Sequence, residues 1–268
     1  MNIEPVLSRI TIFPVKSLDG ITLQKSTISK GGCLLHDREF ALIDEKGNFI
    51  NGKSNPLVHT LRSAIDFENE TISFRPATDT AWSHFHLKKE KTGIESFLSG
   101  HFGIKTKLLQ NDTGRFMDIP DISGATILST ASLQEVSTWF NHMSLDETRK
   151  RFRATLEISE VPAFWEDHLF SHEDKAIEFT VGDVTLYGIS PRARCVVPTR
   201  NPDTGVVTHA FPKSFSRHRA STLPEWSNLE EYGHHYYLTV NCLIPPTEIG
   251  KIIETGNPIK IIRENVFY

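Results

Sequence analysis

Apolar and polar residues alternate with period two in many short stretches of this chain, and turn-forming clusters cut those stretches before most of them reach helical length. Residues 7–15 read Leu-Ser-Arg-Ile-Thr-Ile-Phe-Pro-Val, which puts one set of side chains on each face of a strand. Segments 21–28 and 38–43 are rich in β-branched and apolar residues and are bounded by Gly31-Gly32 and Gly47-Asn48. The Asp44-Glu45-Lys46-Gly47-Asn48 run reads as a hairpin turn between strands at 40–43 and 49–51. Further strands are expected at 60–67, 70–75, 83–88 and 104–110, then at 154–158, 176–181, 183–189, 235–240 and 258–263. Helices are few: one over 93–100, and one over 133–141, where Ser132 with Glu135 three residues on has capping-box spacing. A run of turn formers over 111–124 marks the best boundary. The expected class is therefore β-rich α+β: an N-terminal mixed β-barrel-like domain over 1–115, then a second β-barrel with a few helices over 116–268.

Charge and cysteine usage narrow the function. Over 268 residues, 29 Lys and Arg face 33 Asp and Glu, a net charge of −4, so no general attraction for nucleic acid or an anionic membrane is expected. Residues 1–19 lack the charged start, apolar run and cleavage site of a signal peptide. No apolar run approaches the roughly 18 residues of a spanning helix. Three dispersed cysteines, Cys33, Cys195 and Cys242, argue against a disulfide framework, a tetrahedral zinc site or iron–sulfur ligation. The expectation is a soluble, cytoplasmic protein.

One motif is a coincidence. Residues 47–54, Gly-Asn-Phe-Ile-Asn-Gly-Lys-Ser, match the phosphate-loop pattern letter for letter. That loop works only where a long helix starts at the lysine and aims its amides at phosphate, and Asn55-Pro56 disfavours such a helix. The second half is more informative. Pro191-Arg192-Ala193-Arg194-Cys195-Val196-Val197-Pro198-Thr199-Arg200-Asn201-Pro202-Asp203-Thr204-Gly205 follows directly on a strand. Positive charge on either side of Cys195 favours the thiolate, the form that ligates soft metals or attacks electrophiles. The alternative is a small buried hydrophobe. Asn-Pro-Asp-Thr-Gly would fold the chain back and hold this loop. Arg149-Lys150-Arg151-Phe152-Arg153 is either a solvated charge run in a loop or an anion site. His84 and His86 would share a strand face, but no third metal ligand is evident; Cys33 and Cys242 read as packing residues.

Five elements, in order and at fitting intervals, carry a family resemblance. They are Phe13-Pro14-Val15-Lys16-Ser17 with Leu18-Asp19-Gly20; His36-Asp37-Arg38-Glu39-Phe40 through Asp44; Ile127-Leu128-Ser129-Thr130-Ala131-Ser132-Leu133; Arg151-Phe152-Arg153; and Arg194-Cys195 through Gly205. The chain resembles the MOSC-domain family, and within it the two-part amidoxime-reducing type with an N-terminal MOSC β-barrel domain. The resemblance implies a molybdenum cofactor whose metal is ligated by Cys195, with Lys16, Ser17, Arg38, Ser129, Thr130, Arg151, Arg153 and Arg194 contacting the pterin and its phosphate. It implies oxygen abstraction from N-hydroxylated small molecules, releasing an amine or amidine and water. This chain has no clustered cysteines for a C-terminal ferredoxin-like domain, so electrons are expected from a separate ferredoxin-, flavodoxin- or reductase-like donor. A sulfur or cofactor carrier using Cys195 as persulfide or thiolate, and a binding module without the metal, are the alternatives. Thr155 stands where the family often has asparagine, which would change a cofactor contact; Asn201 and Pro198 also depart from the pattern.

Overall fold

The structure, a computed structural model, describes residues 4–112, 116–119, 124–172 and 175–266. Part of the turn-forming run at 111–124 therefore lies outside the described residues. Fifteen strands and four α-helices are found among those described, and no helix there is long and apolar enough to cross a membrane.

The largest sheet has eight strands. In chain order these are β1 (Val6–Ile12), β2 (Ile21–Leu23), β9 (Ala125–Ser129), β10 (Leu156–Ser159), β11 (Lys175–Val181), β12 (Val184–Ala193), β13 (Tyr237–Leu243) and β15 (Ile259–Val266). Their spatial order is β15-β11-β12-β13-β9-β10-β1-β2. All neighbours are antiparallel except the parallel pair β9 and β10. A bridge from Val6 to Pro258, with Leu7 donating to Asn257 and Ile259 to Pro5, ties β1 to the chain entering β15. The sheet thereby curls into a barrel, which protects edges that an open sheet would leave unpaired. The alternation read in residues 7–15 has its physical basis here. Leu7, Ile10 and Ile12 point into the barrel and pack with Ile127, Ile158, Phe179, Leu186 and Val240, while a register shift between Leu7 and Arg9 accommodates the curvature.

The first thirty residues thus hydrogen-bond into the sheet of the chain's second half, since β3 (Lys25–Thr27) also pairs with β14 (Ile252–Glu254). Residues 38–112 build a separate layer. There β4 (Phe40–Ile43) pairs with β8 (Lys107–Gln110), and β5 (Leu61–Asp66), β6 (Thr71–Pro76) and β7 (Ser83–His86) form a three-stranded sheet. Helix α1 (Lys91–Phe102) covers them, ending at left-handed Gly103. Ile94, Leu98 and Phe102 at i, i+4 and i+8 seal a second core with Ile72, Phe74 and Leu108.

A third core packs helices on the outside of the barrel: α2 (Thr130–Thr138), α3 (Leu145–Phe152) and α4 (Phe211–Ser221). Three expectations are corrected here. Ser129 is the N-cap of α2, accepting from the Ser132 amide, so the helix starts earlier than Ser132 as cap would place it. The basic run at 149–153 belongs mostly to a helix, because Ser144 caps α3 and Asp146 and Glu147 favour its positive end. Helix α4 escaped the period count: of Phe211, Phe215 and Arg219 at i, i+4 and i+8, the last is charged, and it is buried with its guanidinium paired to Asp167 and stacked 3.9 Å from the Phe164 ring centroid.

Candidate functional site

A cavity of about 610 Å³ opens between the 38–112 layer and the barrel. Both halves of the chain line it: Phe13, Lys16, Ser17, Arg38, Lys53, His59 and Arg62 from the first, and Phe152, Arg153, Arg192, Arg194, Cys195 and Arg200 from the second.

At one end, Phe13 lies between two guanidinium groups. Arg38 sits 4.6 Å and Arg153 4.0 Å from its ring centroid, each a favourable cation–π contact. The Asp37 carboxylate holds this arrangement, accepting from the Phe13 amide at 2.7 Å and pairing with Arg38. Ser17, Arg38 and Arg153 all have left-handed backbones, at φ 75°, 53° and 53°. Non-glycine residues in that region cost free energy and cluster at working sites. Arg153 is a helix C-cap, where glycine would be the easy choice; its guanidinium instead donates to the Leu18 carbonyl at 2.7 Å. Part of Arg153 is open to the cleft, but its charge is enclosed by protein. Burial, and then the Arg38 charge, bring its pKa down to about 9, so it stays protonated at neutral pH.

Lys16 donates to the Phe116 carbonyl at 2.7 Å and pairs with Asp118 at 2.8 Å, and Arg192 meets the other Asp118 oxygen at 3.0 Å. Burial opposes ionisation of Asp118, but the Lys16 hydrogen bond and the Lys16 and Arg192 charges hold its carboxyl at about 2. Cys195 lies where β12 runs out, half-buried, its Sγ accepting from the Val197 amide at 3.4 Å and its carbonyl from the Tyr236 hydroxyl at 3.2 Å. The Arg194 guanidinium donates once, to the Phe152 carbonyl at 2.9 Å; its Nε and second terminal nitrogen are buried without partners. Burial and the Arg192 charge lower its pKa to about 10. Burial also lowers His59, with the Arg200, Arg153 and Arg62 charges acting the same way against a backbone contact at Gly52.

Of the residues singled out in the sequence, Lys16, Ser17, Arg38, Arg151, Arg153, Arg194 and Cys195 line this one cleft. Ser129 and Thr130 do not. Ser129 is fully buried as a helix cap against Ser132 and Glu166, and Thr130 turns its hydroxyl to Glu157, because the capping geometry spends those hydroxyls on protein. Arg151 reaches the cleft wall, but its donors are committed: to Glu147 at 2.9 and 2.7 Å, to the Pro198 carbonyl at 2.6 Å and to Thr208 at 3.0 Å. It clamps the loop after Cys195 onto α3. Thr155 closes on β9, accepting from the Thr126 amide at 2.7 Å and donating to its carbonyl at 2.9 Å. The turn at 201–205 forms as expected, with Asn201 Oδ1 accepting from the amides of Asp203 and Thr204 and Gly205 left-handed at φ 72°. His84 bonds Ser73 and His86 approaches Glu70, away from the cleft. Sequence reasoning missed Phe13 as a guanidinium partner, His59, Arg62 and Asp118. Lys53 was visible only inside the rejected phosphate-loop pattern, and Arg200 only as part of the cysteine loop.

Residues 4–118 match the family model for the MOSC N-terminal beta barrel domain. Mitochondrial amidoxime-reducing component 1 of Homo sapiens is 21% identical over 306 aligned positions, covering 96% of this chain and 82% of the relative. Mitochondrial amidoxime reducing component 2 of the same species is 23% identical, covering 77% and 70%. Molybdenum cofactor sulfurase of Arabidopsis thaliana is 25% identical over a shorter stretch, 42% of this chain and 16% of the relative. Over residues 4–118 the chain is similar to the MOSC N-terminal beta barrel domain, and along most of its length it is similar to the mitochondrial amidoxime-reducing components.

Proposed function

We propose that this protein binds a molybdenum cofactor in the cleft and reduces N-hydroxylated compounds with electrons from a separate donor protein. The observation that carries the reading is Cys195 beside Arg194, whose two buried nitrogens lack partners, in a cleft edged by enclosed guanidinium groups. A buried, unpaired guanidinium nitrogen is costly, and an anionic occupant relieves that cost. The residues therefore fit a thiolate-ligated, phosphate-bearing group.

Cys195 would ligate the metal as thiolate, its loop fixed by Tyr236 on one side and Arg151 on the other. Arg38, Arg153 and Lys16 would hold the phosphate, in keeping with the geometry of guanidinium–phosphate pairs. Arg194 would supply two further donors. When bound, the cofactor supplies two-electron oxygen-atom abstraction from N–OH, which with two protons yields an amine or amidine and water. Enclosure of the arginines keeps their charge weakly screened and the bound anion fixed.

The reading is tested by elemental analysis for molybdenum on protein made in a cofactor-competent host, beside Cys195→Ala. Near-stoichiometric metal and reduction of an N-hydroxylated base in the parent, with reduction lost in the variant, supports it. A parent without metal, whose Cys195 reacts as a persulfide or free thiol, overturns it in favour of a carrier.

A further inference from the structure

The cleft holds more positive charge than a single phosphate needs. Ten of its lining residues are Lys or Arg and three are Asp. Lys16, Arg38, Arg153, Arg192 and Arg194 are accounted for above, Arg151 is tied to Glu147, Arg62 pairs with Asp203 at 2.8 Å and Asp19 at 3.5 Å, and Lys150 pairs with Asp203 at 3.4 Å and Asp146 at 3.5 Å. Lys53 and Arg200 remain. The Lys53 ammonium makes no hydrogen bond or ion pair among the described residues, and its charge is felt at Asp118. Among the described residues the Arg200 guanidinium donates only to the Gly205 carbonyl, at 3.2 Å, and its Nε is buried without a partner.

Both lie on or against the loop that follows Cys195. Arg200 is five residues beyond Cys195 on the same loop. Lys53 follows Gly52, where an added Cβ would lie 3.5 Å from the Val197 side chain, so the turn bearing Lys53 rests against that loop. Asn51 shapes this turn by accepting from the Lys53 amide at 2.9 Å. The lysine of the rejected phosphate-loop pattern thus reaches the cleft by a different local structure.

We propose, on the basis of the reductase reading, that the substrate carries an oxyanion besides its N-hydroxyl group, and that Lys53 and Arg200 bind this oxyanion. The shared chemistry is that of a carboxylate or a phosphate. An opposite charge in this position orients the N–OH toward Cys195, and a charge-assisted pair with either residue strengthens binding about tenfold or more. Arg200 is the directional partner and Lys53 the point charge.

The test uses molybdenum-loaded protein and three substrates: benzamidoxime, 4-carboxybenzamidoxime and 4-phosphonobenzamidoxime. The quantity read is kcat/KM for each charged substrate divided by that for the neutral one. Calorimetric binding of 4-carboxybenzamide against benzamide gives a readout independent of turnover. We expect a ratio of about ten or more at low salt, falling as ionic strength rises, and falling toward one in Lys53→Met with Arg200→Met. The larger of the two charged ratios identifies the carboxylate or the phosphate as the natural group. A ratio near one in metal-loaded parent, with equal binding of the two amides, overturns the inference and leaves the reductase reading standing. Protein without molybdenum, or with no turnover of any substrate, overturns the reductase reading itself, and the amide comparison then still decides the anion site.

Discussion

Arg151 stands at the wall of the cleft, between α3 and the loop that follows Cys195. Its sequence position, two before Arg153 at a strand entrance, made it a cofactor contact by resemblance. Its guanidinium is buried and saturated by Glu147, Pro198 and Thr208. Arg151→Met should therefore destabilise the fold by roughly 2–3 kcal/mol, since it strands the Glu147 carboxylate and frees the Cys195 loop. Urea titration checks the stability, and the rate of Cys195 alkylation checks the loop, which should become more accessible. Unchanged stability would mean that the clamp contributes nothing. Cys195 and its neighbours were legible because a cysteine between arginines, followed by Asn-Pro-Asp-Thr-Gly, is a local pattern. The saturation of Arg151 was not, because Pro198 and Thr208 reach it only after the loop folds over α3.

At the scale of elements, β12 carries the site and constrains it. The strand delivers Arg192 and leads into Cys195, and it can do so only while it lies close to the Trp165–Leu169 turn. Gly188 makes that approach possible, since a Cβ there would sit 1.7 Å from the Leu169 carbonyl oxygen. Gly188→Ala cannot be absorbed by moving a flexible side chain and should cost about 3 kcal/mol or more. Thermal unfolding measures this, and a variant as stable as the parent would show that β12 can slide. The alternation read over residues 7–15 matches β1, where Leu7, Ile10 and Ile12 are buried and Ser8 is exposed. It passed over β9 and α4. Strand β9 follows at once on the turn-forming run and is only five residues long, buried on both faces at Ile127, Leu128 and Ser129. Helix α4 turns a charged residue into the core.

For the molecule as a whole, the network between barrel and outer helices sets a pH dependence. Glu166 is buried; desolvation and then the Asp167 charge raise its pKa from 4.5 to about 7, although it accepts from Ser132 and the Ser129 amide. The folded state therefore binds a proton more tightly there than the unfolded chain does. The stabilisation is complete below about pH 4.5 and is lost as pH rises through about 7, on the order of 3 kcal/mol in all. Glu166→Gln should remove this component, so the stability difference between variant and parent, measured by denaturant titration at pH 5 and pH 8, should favour the variant more at pH 8. A difference independent of pH would show that Glu166 is ionised throughout. The primary structure alone determined the β-rich class, the cysteine loop with its turn, and the motifs that carry the family resemblance, because period, turn chemistry and motif order are local properties of a chain. Tertiary structure alone decided which residues meet. It placed Lys53, His59 and Arg62 opposite a cysteine more than 130 positions away, turned Ser129 and Thr130 from the cleft, and tied Arg151 to protein. Those contacts depend on strand register and on closure of the barrel through Val6 and Pro258, and alternation specifies which face of a strand is buried without specifying which strand will cover it.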